Sequence, residues 1–364
     1  MNKSSIRLLY VPNESGDFRQ LGFRRPMANL LEADMLEQVS VFSLQWRIRN
    51  GGDAEQHRQD LIKRVRDFRP NVVLMQHVGK TGLTEKHFLA MRAAADFELI
   101  YHEADPYSRF LHPLPRPARA AGRFSDVTFT VGSGVFSGNF RRSGAKDVRW
   151  ASHVFEPERY RRIPVSRETP RPYDVVIVAN RNSPRFRGHP NWRDRIAFVS
   201  DLQQRFGERI AIYGRGWTGP GAMGPVDPSS QDDAIRSAWV SANWDHYASE
   251  PHYFSNRLPI SLAAGSIHAT TYHRGYEDLF AGRIGDFLFV ERDRSALADA
   301  IEGVLARTNS EQRIAAIDRA QEFAYKYYRQ DNQFVSFLNY RGTRVDPSAA
   351  VQAWNLDAPG ISGL

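Results

Sequence analysis

The amino-acid sequence predicts an α/β protein made of two Rossmann-like, doubly wound domains that face a cleft. A chain of 364 residues, 41% of them hydrophobic, exceeds the size at which a single core usually stops growing. Short β-rich runs alternate with helical patterns, which is typical of parallel sheets covered by helices. The alternation stops once, in the proline-rich and charged stretch 156–172, and then restarts. We therefore expect a first domain over residues 1–158, a linker over 159–172, a second domain over 173–328 and an extension with a loose tail over 329–364.

The first domain is predicted from short apolar runs that alternate with patterns of three- and four-residue apolar spacing. Strands are expected at Ile6–Val11, Val39–Leu44, Asn71–His77, Glu98–His102, Val127–Val131 and Val148–Ser152. Helices are expected at Pro26–Glu37, Gln56–Phe68, Thr84–Ala95 and Val135–Ser143. This order indicates a parallel sheet with helical crossovers.

The second domain repeats the pattern. Strands are expected at Tyr173–Ala179, Arg209–Tyr213, Ala242–His246, Ile267–Thr271 and Phe287–Val290. Helices are expected at Trp192–Phe206, Asp232–Val240, Pro259–Ala264, Ser295–Ala306 and Glu311–Tyr328. In the last of these, apolar side chains recur on one stripe, which predicts a helix that packs on the sheet.

Composition narrows the classes of function. The chain has no cysteine, which excludes disulfides, thiolate metal sites and cysteine nucleophiles and favours the cytoplasm. The first apolar run, Ile6–Val11, is too short for a signal peptide or a membrane span, so we expect no transmembrane segment. The net charge is +8, and 43 of the 49 basic residues are arginine. This bias indicates an anionic ligand or partner, including peripheral contact with an anionic surface, although a GC-rich genome explains it equally well.

Loops that follow predicted strands mark the expected ligand site, because open α/β sheets bind ligands at the carboxyl ends of their strands. In the second domain these loops read "ANRNSPRFRG", "GRGWTG", "YASEPHYFSNR" and "YHRGYEDLF". Backbone N–H groups and guanidinium forks in such loops can bind a diphosphate. The candidates in the first two loops are Arg181, Arg187, Gly214 and Arg215.

The stretch "FSNRLPISLAAGS" reads as the start of a phosphate-binding helix. Proline suits the first helical position, so Pro259 predicts that the N–H groups of Ile260 and Ser261 are free to bind an anion. Arg257 would reach that anion from the preceding turn. The alternative is an ordinary core helix with a surface arginine.

Several pieces of the sequence, in order and spacing, resemble the GT-B glycosyltransferases, specifically the bacterial CgeB-like branch. The matching pieces are "YDVVIVAN", "RIAIYGRGW", Ser255–Arg257 with the helix up to Gly265, and "GYEDLF" followed by "DFLFVERDRSALADAIEGVL". The segment "FSDVTFTVGSGVFSGNFRRSGAKDVRWASHVFEPERY" agrees more loosely. Together they cover most of the chain.

The resemblance implies that the second domain binds a nucleotide-diphosphate sugar as donor substrate, with no cofactor and no metal. The sequence contains no Asp-x-Asp pair, which disfavours a metal-dependent nucleotide-sugar site. The resemblance also assigns donor-side positions to Tyr253, Ser255, Asn256 and Arg257. Relatives carry a ribose-binding glutamate where this chain has Ile260. Either Glu277 or, second, Glu250 holds the ribose, or the donor is unusual, or the alignment is shifted.

The first domain is expected to bind the acceptor, which would be a glycan, a lipid-linked sugar or a small molecule. An inverting transferase needs a general base, and the candidates are Asp105, then Glu103, then His77. Asp105 and Glu103 lead because alternate residues of an extended segment share a face. Further acceptor-side candidates after strand ends are Glu14, Asp17 and His102.

Two other functions stay open. A DNA-modifying glycosyltransferase is favoured only by the charge, because the arginine-rich loop 108–124 has few interleaved aromatic residues. That loop could instead be a lid, an arm for an anionic acceptor, or simply a solvated loop. A non-catalytic protein that binds a nucleotide or glycan is favoured by Ile260.

Overall fold

The computed structural model describes residues 6–14, 16, 19–182 and 189–352. The chain forms two compact units. One comprises the described residues up to Ala151 together with those from Gln330 onward, and the other is Ser152–Arg329. Within the described residues, no helix has the length and apolar composition needed to cross a bilayer.

The first unit is a parallel sheet between two helical layers. Among its described residues, the sheet has six strands in the order β2-β1-β3-β4-β5-β6. The strands are β1 (Arg7–Val11), β2 (Gln38–Val41), β3 (Val72–Gln76), β4 (Glu98–Glu103), β5 (Val127–Thr130) and β6 (Val148–Trp150). The helices are α1 (Leu21–Glu32), α2 (Leu44–Arg49), α3 (Ala54–Phe68), α4 (Glu85–Ala94), α5 (Arg116–Phe124) and α6 (Val135–Arg142).

Each face of this sheet has its own apolar core. Side chains of α2 to α6 pack on one face, where Leu61, Phe88 and Phe140 are buried. On the other face, Phe23 of α1 packs with Phe337 from the carboxyl-terminal segment. A parallel sheet covered on both faces explains why its strands read as continuous apolar runs.

The second unit repeats the architecture. Its described residues form a second parallel six-stranded sheet in the order β12-β11-β10-β7-β8-β9. The strands are β7 (Tyr173–Val178), β8 (Ile210–Tyr213), β9 (Ala222–Gly224), β10 (Ala238–Ala242), β11 (Ile267–Thr271) and β12 (Leu288–Glu291). The helices are α7 (Trp192–Phe206), α8 (Gln231–Arg236), α9 (Arg257–Ala264), α10 (Tyr276–Leu279), α11 (Arg294–Arg307) and α12 (Ser310–Tyr327). Two doubly wound α/β units are thus confirmed.

The ends of the second unit differ from the predicted boundaries. Segment 159–172, expected as a linker, bonds to the second unit: Tyr160 donates to Gln231 at 2.9 Å and Arg171 to the Gly265 carbonyl at 2.8 Å. The segment after Arg329 forms α13 (Gln330–Leu338) and α14 (Pro347–Gln352). It belongs to the first unit, where the Phe337 ring lies 4.5 Å from that of Phe129. These long-range contacts leave no local signal in the sequence.

Three predicted elements were wrong in place or type. The expected helix Asp232–Val240 ends at Arg236, and the expected strand Ala242–His246 is β10, four residues earlier. Because β10 is a buried central strand, its apolar run is continuous. The spacing of apolar residues in such a short run does not distinguish a strand from a helix. The basic loop 108–124 contains helix α5, whose buried side consists of alanine and glycine and gives a weak apolar pattern.

Helix α1 also begins earlier than expected, at Leu21, and contains Pro26. The prediction used that proline as the helix start, since proline is tolerated best there. Leu44, expected at the end of a strand, instead begins α2.

Candidate functional site

The strand order places a topological switch point in each unit, and that is where open α/β sheets bind ligands. In the second unit β7 lies between β10 and β8. The connection after β7 runs to β8 on one side, and the connection after β10 runs to β11 on the other side. In the first unit β1 lies between β2 and β3. The residues just after β7, β8 and β10, and just after β1, β3 and β4, are therefore those to inspect.

The loops after β7 and β8 are held together by their backbones. The Arg215 N–H donates to the Asn180 side-chain oxygen at 2.8 Å, and the Arg181 N–H donates to the Arg215 carbonyl at 3.0 Å. Between them, Gly214 has a φ of +146°, and a Cβ there would lie 2.1 Å from the Ala179 carbonyl oxygen. Only glycine allows this close approach. The two loops therefore form one rigid edge.

This edge carries two exposed guanidinium groups, those of Arg181 and Arg215. Neither forms an ion pair with any residue in the described part of the chain. Guanidinium groups without a carboxylate partner are available to bind an anion. Arg187, the third predicted cation, lies outside the described residues.

Arg257 has a different role from the predicted one. Its Nε donates to the Val178 carbonyl at the end of β7 at 2.8 Å, and its Nη1 donates to the Ser255 hydroxyl at 2.9 Å. Burial lowers its pKa, although the charge of Asp245 opposes this shift. Arg257 therefore ties the start of α9 to the end of β7 across the switch point. It positions the loops instead of reaching outward from the turn.

The predicted anion site at the N–H groups of Ile260 and Ser261 is not formed. Helix α9 begins at Arg257, which puts Pro259 at its third position, and the Ile260 N–H donates to the Asn256 carbonyl at 3.2 Å. The Ser261 hydroxyl is buried 2.8 Å from that of Ser241 on β10. A proline is tolerated throughout the first turn, so its presence did not define the first residue.

The remaining donor-side residues divide into buried and exposed. Tyr253 is a core residue whose ring packs against His273 at 5.3 Å, and burial raises the pKa of its hydroxyl. Ile260 is 8% exposed, whereas Asn256 is exposed. Glu277 is also exposed: its own backbone N–H and the Tyr272 hydroxyl, 2.8 Å away, lower its pKa. Glu277 is thus an ionised acceptor for hydrogen bonds, and its assignment to the ribose stays a prediction.

A buried hydrogen bond between Asp245 and His273 was missed by sequence reasoning. The Asp245 carboxylate lies 3.1 Å from His273 Nε2, and the other ring nitrogen of His273 lies 3.0 Å from the Glu250 carbonyl. Burial alone would raise the pKa of Asp245, but the bond to His273 keeps it well below its usual range. The pair joins the loops after β10 and β11. Asp245 was not considered as a site residue because it lies inside the strand expected at Ala242–His246.

In the first unit, the three predicted base candidates lie together. His77 Nδ1 is 2.8 Å from a Glu103 oxygen and 3.7 Å from an Asp105 oxygen. The side chain of Glu103 is 1% exposed, whereas that of Asp105 is 59% exposed. Glu103 also accepts from the Tyr101 hydroxyl at 2.5 Å and from the Asp105 N–H at 3.2 Å. Parallel pairing causes this grouping, since Gln76 of β3 is in register with His102 of β4.

The charge state of His77 follows from these neighbours. Burial by itself lowers the pKa of His77, but the charges of Glu103 and Asp105 raise it from 6.5 to about 10. His77 is therefore a cation at neutral pH and cannot accept a proton there. Among the described residues, this group offers metal-ligand atoms within 4.8 Å of one another. At neutral pH the protonated His77 ring neutralises part of the negative charge of Glu103 and Asp105.

The other acceptor-side candidates have structural contacts. Glu14 is buried and forms a bidentate pair with Arg24, at 2.8 Å for each oxygen, and also accepts from Ser43 at 2.6 Å. The His102 ring is buried 4.8 Å from Phe337, on the opposite side of β4 from Glu103. Their assignment to the acceptor side stays a prediction. Asp17 lies outside the described residues.

The chain matches known proteins in sequence and in structure. Residues 193–338 match a family model described as glycosyl transferase-like. HepE from Anabaena, solved with UDP and glucose, superposes with a TM-score of 0.56 at 14% identity, covering 92% of this chain and 100% of that one. A glycosyltransferase from Rickettsia africae gives 0.56 at 9% identity, covering 97% and 100%. Sucrose-phosphate synthase from Thermosynechococcus elongatus gives 0.53 at 12% identity, covering 92% and 98%.

The chain has the GT-B fold. At such identities the structural likeness establishes this fold alone. No curated protein sequence matches the chain. The predicted fold class is confirmed, and Arg181 and Arg215 belong to the second Rossmann-like unit of this fold.

The close approach at Gly214 predicts a large effect of adding one methyl group in this GT-B unit. We expect Gly214→Ala to cost at least about 3 kcal/mol, because the Cβ would overlap the Ala179 carbonyl and force the two loops apart. Gly282→Ala is the matched control, since Gly282 also has a positive φ, +68°, but nothing lies within 4 Å of its Cβ position. That variant should cost about 1 kcal/mol. Urea unfolding measures both, and equal losses would contradict the role of Gly214.

The raised pKa of His77 predicts a pH dependence of stability. The protonated form is favoured in the folded state, so its contribution is complete below pH 6.5 and is lost as the pH rises to about 10. We expect the free energy of unfolding to fall over that range by an amount on the order of a few kcal/mol. The variant His77→Asn, which does not titrate, should remove this component. An unchanged pH profile in that variant would contradict the assignment.

Proposed function

We propose that this protein is a cytoplasmic bacterial glycosyltransferase of the CgeB-like branch. It would transfer a sugar from a nucleotide-diphosphate donor to a glycan, a lipid-linked acceptor or a small molecule. The observation that carries the proposal is the pair of exposed guanidinium groups, Arg181 and Arg215, on the rigid edge formed by the loops after β7 and β8. A glycosyl transferase-like family model that covers most of this unit supports it.

A diphosphate complements this edge, because its negative charge and paired oxygens match the two guanidinium groups. Each guanidinium can present two N–H donors to a phosphate, and such charged hydrogen bonds contribute roughly 1.5–3 kcal/mol. The edge lies beside the switch point, where a ligand reaches backbone groups of two loops at once. HepE was solved with UDP, which makes UDP the first nucleotide to examine.

On the acceptor side, we assign the general base to Asp105. Glu103 is buried and its oxygens already accept hydrogen bonds, and His77 is protonated at neutral pH. Asp105 is the exposed carboxylate of the group, within 3.7 Å of the His77 ring. His77 would orient Asp105 and compensate its charge, while Asp105 takes the proton of the acceptor hydroxyl.

Thermal-shift measurements with UDP, GDP, dTDP, ADP and CMP test the donor assignment. A nucleotide that binds only the folded state raises the melting temperature, by an amount that grows with its concentration. We expect at least one diphosphate to do so. If all five leave the melting temperature unchanged, the donor site is wrong.

Turnover tests the remaining alternatives. With the nucleotide sugar that binds, we expect transfer or slow hydrolysis that persists in EDTA, because the phosphate charge would be neutralised by arginine. Loss of activity in EDTA, restored by Mg²⁺ or Mn²⁺, would contradict metal independence and point to the His77, Glu103 and Asp105 group. Ile260 favours a second candidate, a protein that binds the nucleotide without turnover, and binding with no transfer or hydrolysis would support that candidate.

A further inference from the structure

A basic groove lies on the helical layer of the first unit. It has a volume of about 440 Å³ and is lined by arginines of α5 and α6, namely Arg116, Arg119, Arg123 and Arg142, and by Glu85 at the start of α4. We call this feature the arginine groove. The proposed donor site and general base do not use it.

The sequence of α5 directs its arginines outward. Arg116, Arg119 and Arg123 recur at three- and four-residue spacing, so they share one face, and all are exposed. The fully buried residues on the opposite face are small: Ala118, Ala120, Ala121 and Gly122. A Cβ on Gly122 would lie 2.6 Å from the Phe140 ring, so the helix packs very closely on its neighbours. This face therefore forms the core contact, and the basic face is left for solvent or a ligand.

The charges of the groove are unbalanced. Glu85 is the acidic residue among its lining side chains, and it pairs with Arg123 at 2.6 Å. Arg142 donates to the Asn139 side chain at 2.7 Å. In the described part of the chain, Arg116 and Arg119 form no ion pair, and the first turn of α5 has no acidic residue. Like charges one turn apart destabilise a helix, and an anion bound between them would remove that cost.

We propose that the arginine groove binds a ligand with two or more closely spaced phosphate groups. Planar guanidinium forks bind phosphate oxygens in pairs, and arginine suits this role better than lysine. The volume of the groove fits a short polyphosphate or a phosphorylated head group. The same chemistry is available from a free polyphosphate and from phospholipid head groups at a membrane surface.

Binding of the full chain to two probes tests this site. The first probe is inorganic tripolyphosphate, measured by calorimetry, and the second is phosphatidylcholine vesicles with and without cardiolipin, whose head group carries two phosphates, measured by co-sedimentation. We expect the double variant Arg116→Ala/Arg119→Ala to bind the relevant probe at least about tenfold more weakly, since two charged contacts are lost. Tripolyphosphate alone would identify a soluble ligand, and anionic vesicles alone a lipid head group; either result supports the site.

The matched control is Arg49→Ala/Arg66→Ala. Both residues are exposed arginines of the first unit outside the groove, so the loss of net charge is the same. We expect this control to bind like the unmodified protein, and circular dichroism of both double variants to be unchanged. The proposal is overturned if neither probe binds, or if the control loses as much affinity as the groove variant, because binding would then depend on net charge alone. Nucleotide binding by the second unit is measured separately and is expected to be the same in all variants.

Discussion

Removing the two exposed arginines of the loops after β7 and β8, in the double variant Arg181→Ala/Arg215→Ala, is expected to weaken UDP binding by a factor on the order of a hundred or more. Each guanidinium would contribute roughly 1.5–3 kcal/mol to a bound diphosphate, and a factor of ten corresponds to about 1.4 kcal/mol. The fold should be unaffected, because both side chains are exposed and neither joins an ion pair with a described residue. Calorimetric titration with UDP measures the effect.

A matched control separates this effect from the loss of net charge. Arg161 and Arg307 are exposed arginines of the same unit that lie away from the loops after β7 and β8. The variant Arg161→Ala/Arg307→Ala removes the same charge and should leave UDP affinity within about twofold, since screened charges at a distance contribute little. Equal weakening in both double variants would show that the diphosphate is not bound at this edge.

The second large effect is expected at Asp105. We expect Asp105→Asn to lower kcat by roughly 10²–10⁴, the usual contribution of a positioned general base, with UDP affinity unchanged. The amide retains the size of the carboxylate but cannot take the proton. Initial rates at saturating donor, together with a UDP titration, separate the two quantities.

Asp96→Asn is the control for this experiment, because Asp96 is an exposed aspartate of the same unit that follows α4. Its kcat should match that of the unmodified protein. A normal rate in Asp105→Asn would exclude Asp105 as the base, and a comparable loss of UDP affinity would assign it to the donor site.

Much of the candidate site could be predicted because strand ends carry local signals. His77, Glu103 and Asp105 were singled out as polar residues that end apolar runs, and parallel pairing of β3 and β4 does bring them together. Arg181 and Arg215 were identified in the same way, from loops rich in glycine and arginine after β7 and β8. In each case the residues follow two adjacent strands of one sheet, so the fold brings together residues that the local sequence pattern had already marked.

Other site features depend on partners distant in sequence. Arg257 was expected to reach a phosphate, yet its guanidinium bonds the Val178 carbonyl, 79 residues earlier. Asp245 and His273 pair across two loops, and neither residue has a distinctive sequence context. The hydrogen-bonding state of a side chain is set by what the fold places beside it, and periodicity carries no information about that.

The sequence by itself determined the two doubly wound α/β units and the position of glycine- and arginine-rich loops at strand ends. Those properties follow from the alternation of apolar residues and from glycine and arginine at strand ends, which act over a few residues. Only the tertiary structure decided that the segment after Arg329 completes the first core, that α5 forms beneath the arginine groove, and that His77 carries a charge. The physical reason is the same for all three: burial and electrostatic interactions depend on neighbours in space, which the order of residues along the chain does not specify.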